Sequence, residues 1–413
     1  MPSDLNPSKR TVLDIKADLA NGRTSSRELI EAALAQIADP AGEGARTFVK
    51  VYGDSARAAA DAHDRLRKAG YIASPLAGLP VSLKDLFDVS GERTLAGSKA
   101  LGDSPPAVHD APVVSRLRAA GAVLIGRTNM TEFAFSGVGI NPHYCTPGNP
   151  YDRRLIPGGS SSGAAVSVSD GGAVIAIGTD TGGSVRIPAA LCGIVGFKPT
   201  QERIPRDGVT PLSTTLDSIG PLANSVACCA VADAILAGEP PIVPPAIPVE
   251  SLRLGVPQTY VLEGLEAEVA SAFANGCTIL SRAGAHIVDL PLSELAELPA
   301  INASGGFAPI EAYAWHKPLL ERHGSEYDPR VRTRIERASG MTAVEYIRLR
   351  AARADLINRV AARTRMKQPD ASAKRSRRAF VPVVFMAVSS RSLVARSLPG
   401  GYCSWTRATW PRL

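Results

Sequence analysis

The sequence predicts an α/β layer structure around a largely parallel, buried sheet, and three observations carry that reading. The runs AVLIG (122–126) and AVIAIG (173–178) are short, apolar and uncharged, as strands covered on both faces must be. Segments with helical periodicity alternate with them. Further on, LRLGVP (252–257), an apolar stripe through Leu265, Val269, Phe273, Cys277 and Leu280, and AHIVDL (285–290) read as a β-α-β unit.

The elements follow in chain order. Ser25 and Glu28 form a capping box, after which Leu29, Ile30, Ala33, Leu34 and Ile37 share one helix face. Residues 54–69 are rich in Ala and Arg and stop at Gly70, a left-handed terminator. The run Leu79 to Leu83 is strand-like and is interrupted by Lys84. Val113 to Ala120 is helical and closes on Gly121, leading into AVLIG. The stretch TNMTEFAFSGVGINPHYCTPGNP (128–150) is loop-rich. GEPPIVPPAIPVE (238–250), with five prolines, is an exposed connector. Helical patterns fill 311–322 and 342–364, and no internal repeat is present.

At 413 residues the chain has room for one large or two medium domains. The first twenty residues lack the apolar core of a secretory signal, and the apolar window 379–390 is too short to span a bilayer, which needs about 20 residues. A cytoplasmic location is expected. The six cysteines (145, 192, 228, 229, 277, 403) show no C-x-x-C spacing and read as buried thiols; neither they nor the six scattered histidines support a metal site. The net charge of +7 is concentrated in one place: residues 365–413 hold ten Lys/Arg and one acid, +9, while the preceding 364 residues hold 36 bases and 38 acids, −2. A near-neutral body excludes a broad nucleic-acid-binding surface.

The chemistry is concentrated in PGGSSSGAAVSVSDGGAVIAIGTDTGGSVRIPAA (157–190). A plain linker would not run into a buried strand. A phosphate-cradling loop lacks the Walker lysine. Gly159-Ser160-Ser161-Ser162-Gly163 formally matches a nucleophile elbow centred on Ser161, but the preceding NPYDRRLIP cannot be the strand that motif requires. Ser184 is the better nucleophile, because it follows a buried strand and Thr181-Gly182-Gly183 lets consecutive N–H groups turn toward one point. Its base is left open between His286, His316 and Lys84. Desolvation would make a buried lysine a neutral base near pH 7, although an ordinary ion-paired lysine has the same local sequence.

GLPVSLKDLFDV, GGSSSG and GTDTGGSVRIPAALCGIVGFKPT, with GRTNMTEFAFSG and DSIGPLANS in support, resemble the amidase signature family. The strong part covers 75–225, and weaker similarity runs from the N-terminal helix to about 364. The resemblance implies one large domain, 1–364, with a mixed, mostly parallel central sheet and helices on both faces. It implies a Ser-Ser-Lys triad: Ser184 as nucleophile, Ser160 as the bridging serine held in a cis peptide, and Lys84 as base. The N–H groups of Thr181, Gly182, Gly183 and Ser184 match the oxyanion hole. Asp180, Arg186 and Ser161 are expected to support the loop, and Phe135, Ser136 and Gly137 to form one wall of the acyl pocket. Residues 300–340, with Tyr313 and Trp315, are the expected specificity region.

The implied reaction is hydrolysis of a small-molecule amide through an acyl-enzyme, without metal or cofactor, membrane or nucleic acid; a homodimer is compatible with it. The rival is the glutaminase-type subunit of a tRNA-dependent amidotransferase. This chain departs from the family pattern in the third serine, Ser162, in Ala164, and in the Arg/Ser-rich tail 365–413 where relatives continue with an apolar strand. A shifted reading frame or a truncated gene is the expectation for that tail.

Overall fold

The computed structural model describes residues 10–364. They form two compact units, residues 10–244 with 311–336 and residues 245–310 with 337–364. The basic tail and Cys403 lie outside the described residues.

In chain order the elements are α1 (Val12–Ala20), α2 (Ser26–Ala38), α3 (Gly44–Thr47), β1 (Phe48–Val51), α4 (Gly53–Lys68), β2 (Pro80–Lys84), α5 (Pro112–Ala119) and β3 (Val123–Thr128). Then come α6 (Ser162–Ser169), β4 (Ile175–Asp180), α7 (Arg186–Cys192), β5 (Val195–Gly196), β6 (Ser218–Ala223) and α8 (Val226–Ala237). β7 (Arg253–Pro257), α9 (Ala267–Arg282), β8 (His286–Leu290), α10 (Leu298–Ile301), α11 (Phe307–His323), α12 (Pro329–Glu336) and α13 (Ala343–Thr364) complete the series. The capping box of α2 has both halves in place, Glu28 N–H on Ser25 Oγ and Ser25 N–H on Glu28 Oε2.

The first unit is built on a six-stranded sheet in the order β1-β3-β2-β4-β6-β5. Its centre, β3-β2-β4, is parallel; β1 runs antiparallel to β3, and β6 antiparallel to β4 and β5. The sheet is therefore mixed, with its parallel part confined to the three central strands. Every residue of β2, β3, β4 and β6 is buried, so both faces are covered. Val81, Leu83, Ile175 and Ile177 are fully buried, roughly 1.5–3 kcal/mol each, which lets this centre tolerate an ionisable side chain. Leu83 pairs with Ile177. The parallel strands β2 and β4 thus end at one edge of the sheet, where Lys84 and Thr179–Asp180 emerge together, the usual place for a site in parallel α/β sheets.

The linker-like stretch contains a helix that the sequence pattern did not announce. α6, SGAAVSVS, is buried on every side from Ser162 to Val168, so it has no polar face to create a period. Its small residues answer to close packing. A Cβ on Gly163 would lie 2.4 Å from Thr47 O and 2.7 Å from the Asn129 backbone. α6, α7, β4 and β6 share a cluster of Ala164, Ala165, Val166, Val168, Ala176, Val185, Ala189 and Leu222.

In the second unit β7 and β8 pair in parallel, as the β-α-β reading requires, but only with each other, in a separate and partly exposed two-stranded sheet. The reading of all cysteines as buried thiols is corrected: Cys192, Cys228 and Cys229 are buried, whereas Cys145 is exposed and Cys277 half-buried. Among the described residues no helix is long and apolar enough to cross a membrane.

Candidate active site

Lys84 is the last residue of β2, and its side chain is fully buried. Nζ lies 2.8 Å from Ser160 Oγ and 2.8 Å from Thr179 Oγ1. Burial pushes its ammonium down to about 7, against the opposing pull of Asp217 and Asp180. The ordinary alternatives, a lysine paired with Asp85 or one exposed at a strand end, do not hold. Asp85 instead accepts from Arg127 Nε at 2.7 Å, both side chains being buried, and from Gly97 N–H at 3.1 Å.

Ser160, Ser161 and Ser162 are all fully buried. The Gly159–Ser160 peptide bond is cis. The loop is pinned on both sides: Gly159 N–H donates to Gly137 O at 2.8 Å and Ser160 O accepts from Thr131 N–H at 3.0 Å. The glycines here are obligatory by contact, since a Cβ on Gly159 would meet Gly139 at 2.6 Å and one on Gly139 would meet Gly158 O at 2.2 Å. Ser161 N–H donates to Ser184 O at 3.2 Å, joining this loop directly to the second turn. The Ser161 hydroxyl turns to Thr179 O, 3.3 Å away, rather than toward open space.

Ser184 sits where β4 gives way to α7 and is 6% exposed. Asp180 organises the turn. Its Oδ1 accepts from Gly183 N–H (2.7 Å), its Oδ2 from Val185 N–H (3.2 Å) and Arg186 N–H (3.4 Å), and Arg186 Nε and Nη2 clasp both oxygens at 2.9 Å. Burial alone would raise this carboxyl, but the guanidinium and the amides hold it below the ordinary range. With Gly183 N–H committed to Asp180, the amides of Thr181, Gly182 and Ser184 are the ones without a protein acceptor among the described residues. Gly182 is exposed, and a Cβ there would meet nothing within 4 Å.

Phe135 and Ser136 are half-buried and Gly137 exposed. Gly137, Gly158 and Gly183 all face Ile187 of α7, with Cβ-to-side-chain approaches of 3.1, 3.1 and 2.6 Å, so the three loops meet on one side chain. Arg334 donates to Phe135 O at 3.0 Å. Just before this segment, Phe133 and Ala134 have φ of 48° and 59°, a left-handed pair imposed on non-glycine residues.

The two histidines that the sequence left open as bases go elsewhere. His286 is exposed on β8. His316 is buried, bonded to the Tyr327 hydroxyl at 2.8 Å, packed edge-on to Phe133, and pushed by burial down to about 3. Trp315 is 39% exposed and leans on His316 and Phe133, while Tyr313 is half-buried.

Sequence reasoning missed Thr179 and Asp217. Thr179 lies on β4, just past the quoted run and five residues before Ser184, but its contact with Lys84 spans 95 residues. Asp217 opens the motif DSIGPLANS, yet only the fold brings it onto the Thr181 hydroxyl. No cluster of His, Cys, Asp and Glu able to hold a metal occurs among the described residues.

Comparison with known proteins bears on the family and the fold. The family model described as Amidase matches residues 28–380. The 2-amino-5-chloromuconic acid deaminase of Comamonas testosteroni is 40% identical over 304 residues, 72% of this chain and 65% of that protein. The A-type subunit of the glutamyl-tRNA(Gln) amidotransferase of Anaeromyxobacter dehalogenans (strain 2CP-C) is 43% identical over 291 residues, 67% of this chain and 58% of that protein. The chain thus spans less than two-thirds of the length of these curated relatives. Among solved structures, one described as an amidase superposes with a TM-score of 0.79 at 34% identity, covering 86% of this chain and 80% of the other. The native peptide amidase of Stenotrophomonas maltophilia superposes with a TM-score of 0.68 at 30% identity, covering 84% and 79%. The family model covers most of the chain and the superposed amidase structure agrees with it, and the chain belongs to the amidase family.

Proposed function

We propose that this chain hydrolyses a carboxylic amide to the acid and ammonia or an amine through a Ser184–Ser160–Lys84 triad and an acyl-enzyme. The observation that carries the reading is the buried Lys84 Nζ, shifted to about 7, at 2.8 Å from Ser160 Oγ. A neutral amine there accepts the Ser160 hydroxyl proton while Ser160 accepts that of Ser184. The Ser184 oxygen bonds to the amide carbon, and the carbonyl electrons move to oxygen. Thr181, Gly182 and Ser184 N–H groups serve as donors to that oxyanion, each worth about 3 kcal/mol; Gly183 N–H, committed to Asp180, acts as a brace. Collapse re-forms the carbonyl and breaks C–N, and Ser160 gives a proton to the departing nitrogen while taking one back from Lys84, which leaves the amine neutral. Water then enters by the same relay in reverse, releasing the acid and Ser184.

Phe135, Ser136 and Gly137 form one wall for the acyl group in this proposal, supported by the convergence of Gly137 with the serine loops on Ile187. A cytoplasmic setting, with or without a homodimer, belongs to the same proposal. The test is turnover of a panel of primary and anilide amides by the purified full chain, with S184A and K84A inactive and folded. Full activity of either variant would refute it. A second reading, glutamine hydrolysis within an amidotransferase complex, is favoured by the several amidotransferase relatives at 40–43% identity; glutaminase activity that appears only with a co-purifying partner would select it.

A further inference from the structure

Asp217 anchors the turn ahead of Ser184 through the Thr181 hydroxyl. It precedes β6, and because Asp180 pairs with Ser218 it stands across the sheet from Thr181. Its Oδ1 accepts from the Thr181 hydroxyl, and its Oδ2 from Leu212 N–H at 2.9 Å and Ser213 N–H at 3.0 Å. The loop carrying it is itself held: the hydroxyls of Ser213 and Thr215 and the Thr215 N–H donate to Glu311 of α11. Asp217 is 8% exposed and forms no ion pair among the described residues.

The charges around Lys84 single it out. On β4, Asp180 is clasped by Arg186; just after β2, Asp85 and Arg127 of β3 neutralise each other; α6 carries no ionisable side chain. Asp217 and Asp180 both favour the charged form of Lys84, opposing its burial. The Asp217 carboxyl is itself pushed up by burial, which the Thr181 hydroxyl and the two amides oppose, with a weaker contribution from Arg206.

We propose that Asp217 is a positioning residue for the amide hydrolysis proposed above: it fixes Thr181, and with it the amide turn ahead of Ser184, and supplies the negative charge that a protonated Lys84 faces. The inference rests on that reading of the triad. It predicts two separable effects. Losing the Thr181 anchor slows acylation, whereas losing the charge makes protonated Lys84 less favourable and moves its titration to lower pH.

The experiment measures kcat and kcat/KM against pH, on one amide substrate, for the full-length wild type, D217N, T181V, T181S and the D217N/T181V double variant, with S184A as the blank. D217N is expected to lose tenfold or more in kcat and to shift the acid limb of kcat/KM to lower pH by roughly half a unit or more. T181V is expected to lose about as much in kcat with the limb unmoved, T181S to recover most of it, and the double variant to be no slower than D217N. A wild-type pH profile in D217N, or losses that multiply in the double variant, would overturn the proposal. Should D217N not fold, the T181V and T181S pair decides: wild-type kcat in T181V refutes the anchor. Turnover by S184A would instead refute the triad itself, so the two failures are distinguishable.

Discussion

Lys84 Nζ lies 2.8 Å from Ser160 Oγ, 76 residues further along the chain, and neither side chain reaches solvent. A strand end and a glycine-flanked loop hold a strong base in a place where its charge is disfavoured. In the proposed mechanism that relationship links the fold to the chemistry, because only the neutral amine can accept the serine proton.

The pH dependence of activity follows from the sign of this shift. With Lys84 lowered to about 7, protonation below that value removes the base. The kcat/KM profile is therefore expected to rise with pH through an apparent midpoint near 7 and level off above it. Steady-state rates from pH 5 to 9 check this; a profile still climbing to pH 10 would mean an unshifted lysine.

The same burial costs stability. A lysine whose folded pKa is about 7, against an ordinary 10.5, binds fewer protons in the folded than in the unfolded state between those values. Its contribution is most unfavourable below about pH 7, by up to ~5 kcal/mol, and improves as pH rises toward 10.5. Replacing Lys84 with Met removes that penalty but leaves the Ser160 and Thr179 hydroxyls without their partner, about 1–3 kcal/mol. K84M is expected to be inactive yet net more stable than wild type by ~2–4 kcal/mol at pH 6, with the gain shrinking by pH 9. Urea denaturation at the two pH values measures it, and equal destabilisation at both would contradict the buried-charge explanation.

Two adjacent glycines separate catalysis from folding. A Cβ on Gly182 meets nothing within 4 Å, so G182A is expected to keep the wild-type Tm and yet lose tenfold or more in kcat/KM by crowding the proposed oxyanion position. Gly183 has φ of 126°, and a Cβ there would lie 2.6 Å from Ile187 Cδ1, so G183A is expected to lose stability by roughly 1–3 kcal/mol. Calorimetry and kinetics on both variants test the contrast. G182A with wild-type activity would remove the turn from the mechanism.

Much of this fold could be read before any coordinates. The charge-free runs that became β3 and β4, the capped helix α2, and the Gly-terminated α4 and α5 all announce themselves locally. α6 did not, because a helix buried all round has neither a polar stripe nor long side chains, and its glycine and serines imitate a linker. The residues alone narrowed the nucleophile to Ser184 but left Lys84 undecided against two histidines; the motif resemblance made that choice. Thr179 and Asp217 were beyond both routes, since their partners are set by strand register and by a loop some 36 residues away from Thr181.

The most direct test of the central assignment is intact-protein and peptide mass spectrometry of the full chain, acid-quenched during turnover of an activated anilide or ester. The triad predicts one acyl group on Ser184, absent in S184A and strongly reduced in K84A. An adduct on Ser161 or any other residue, or an adduct that persists in S184A, would contradict it.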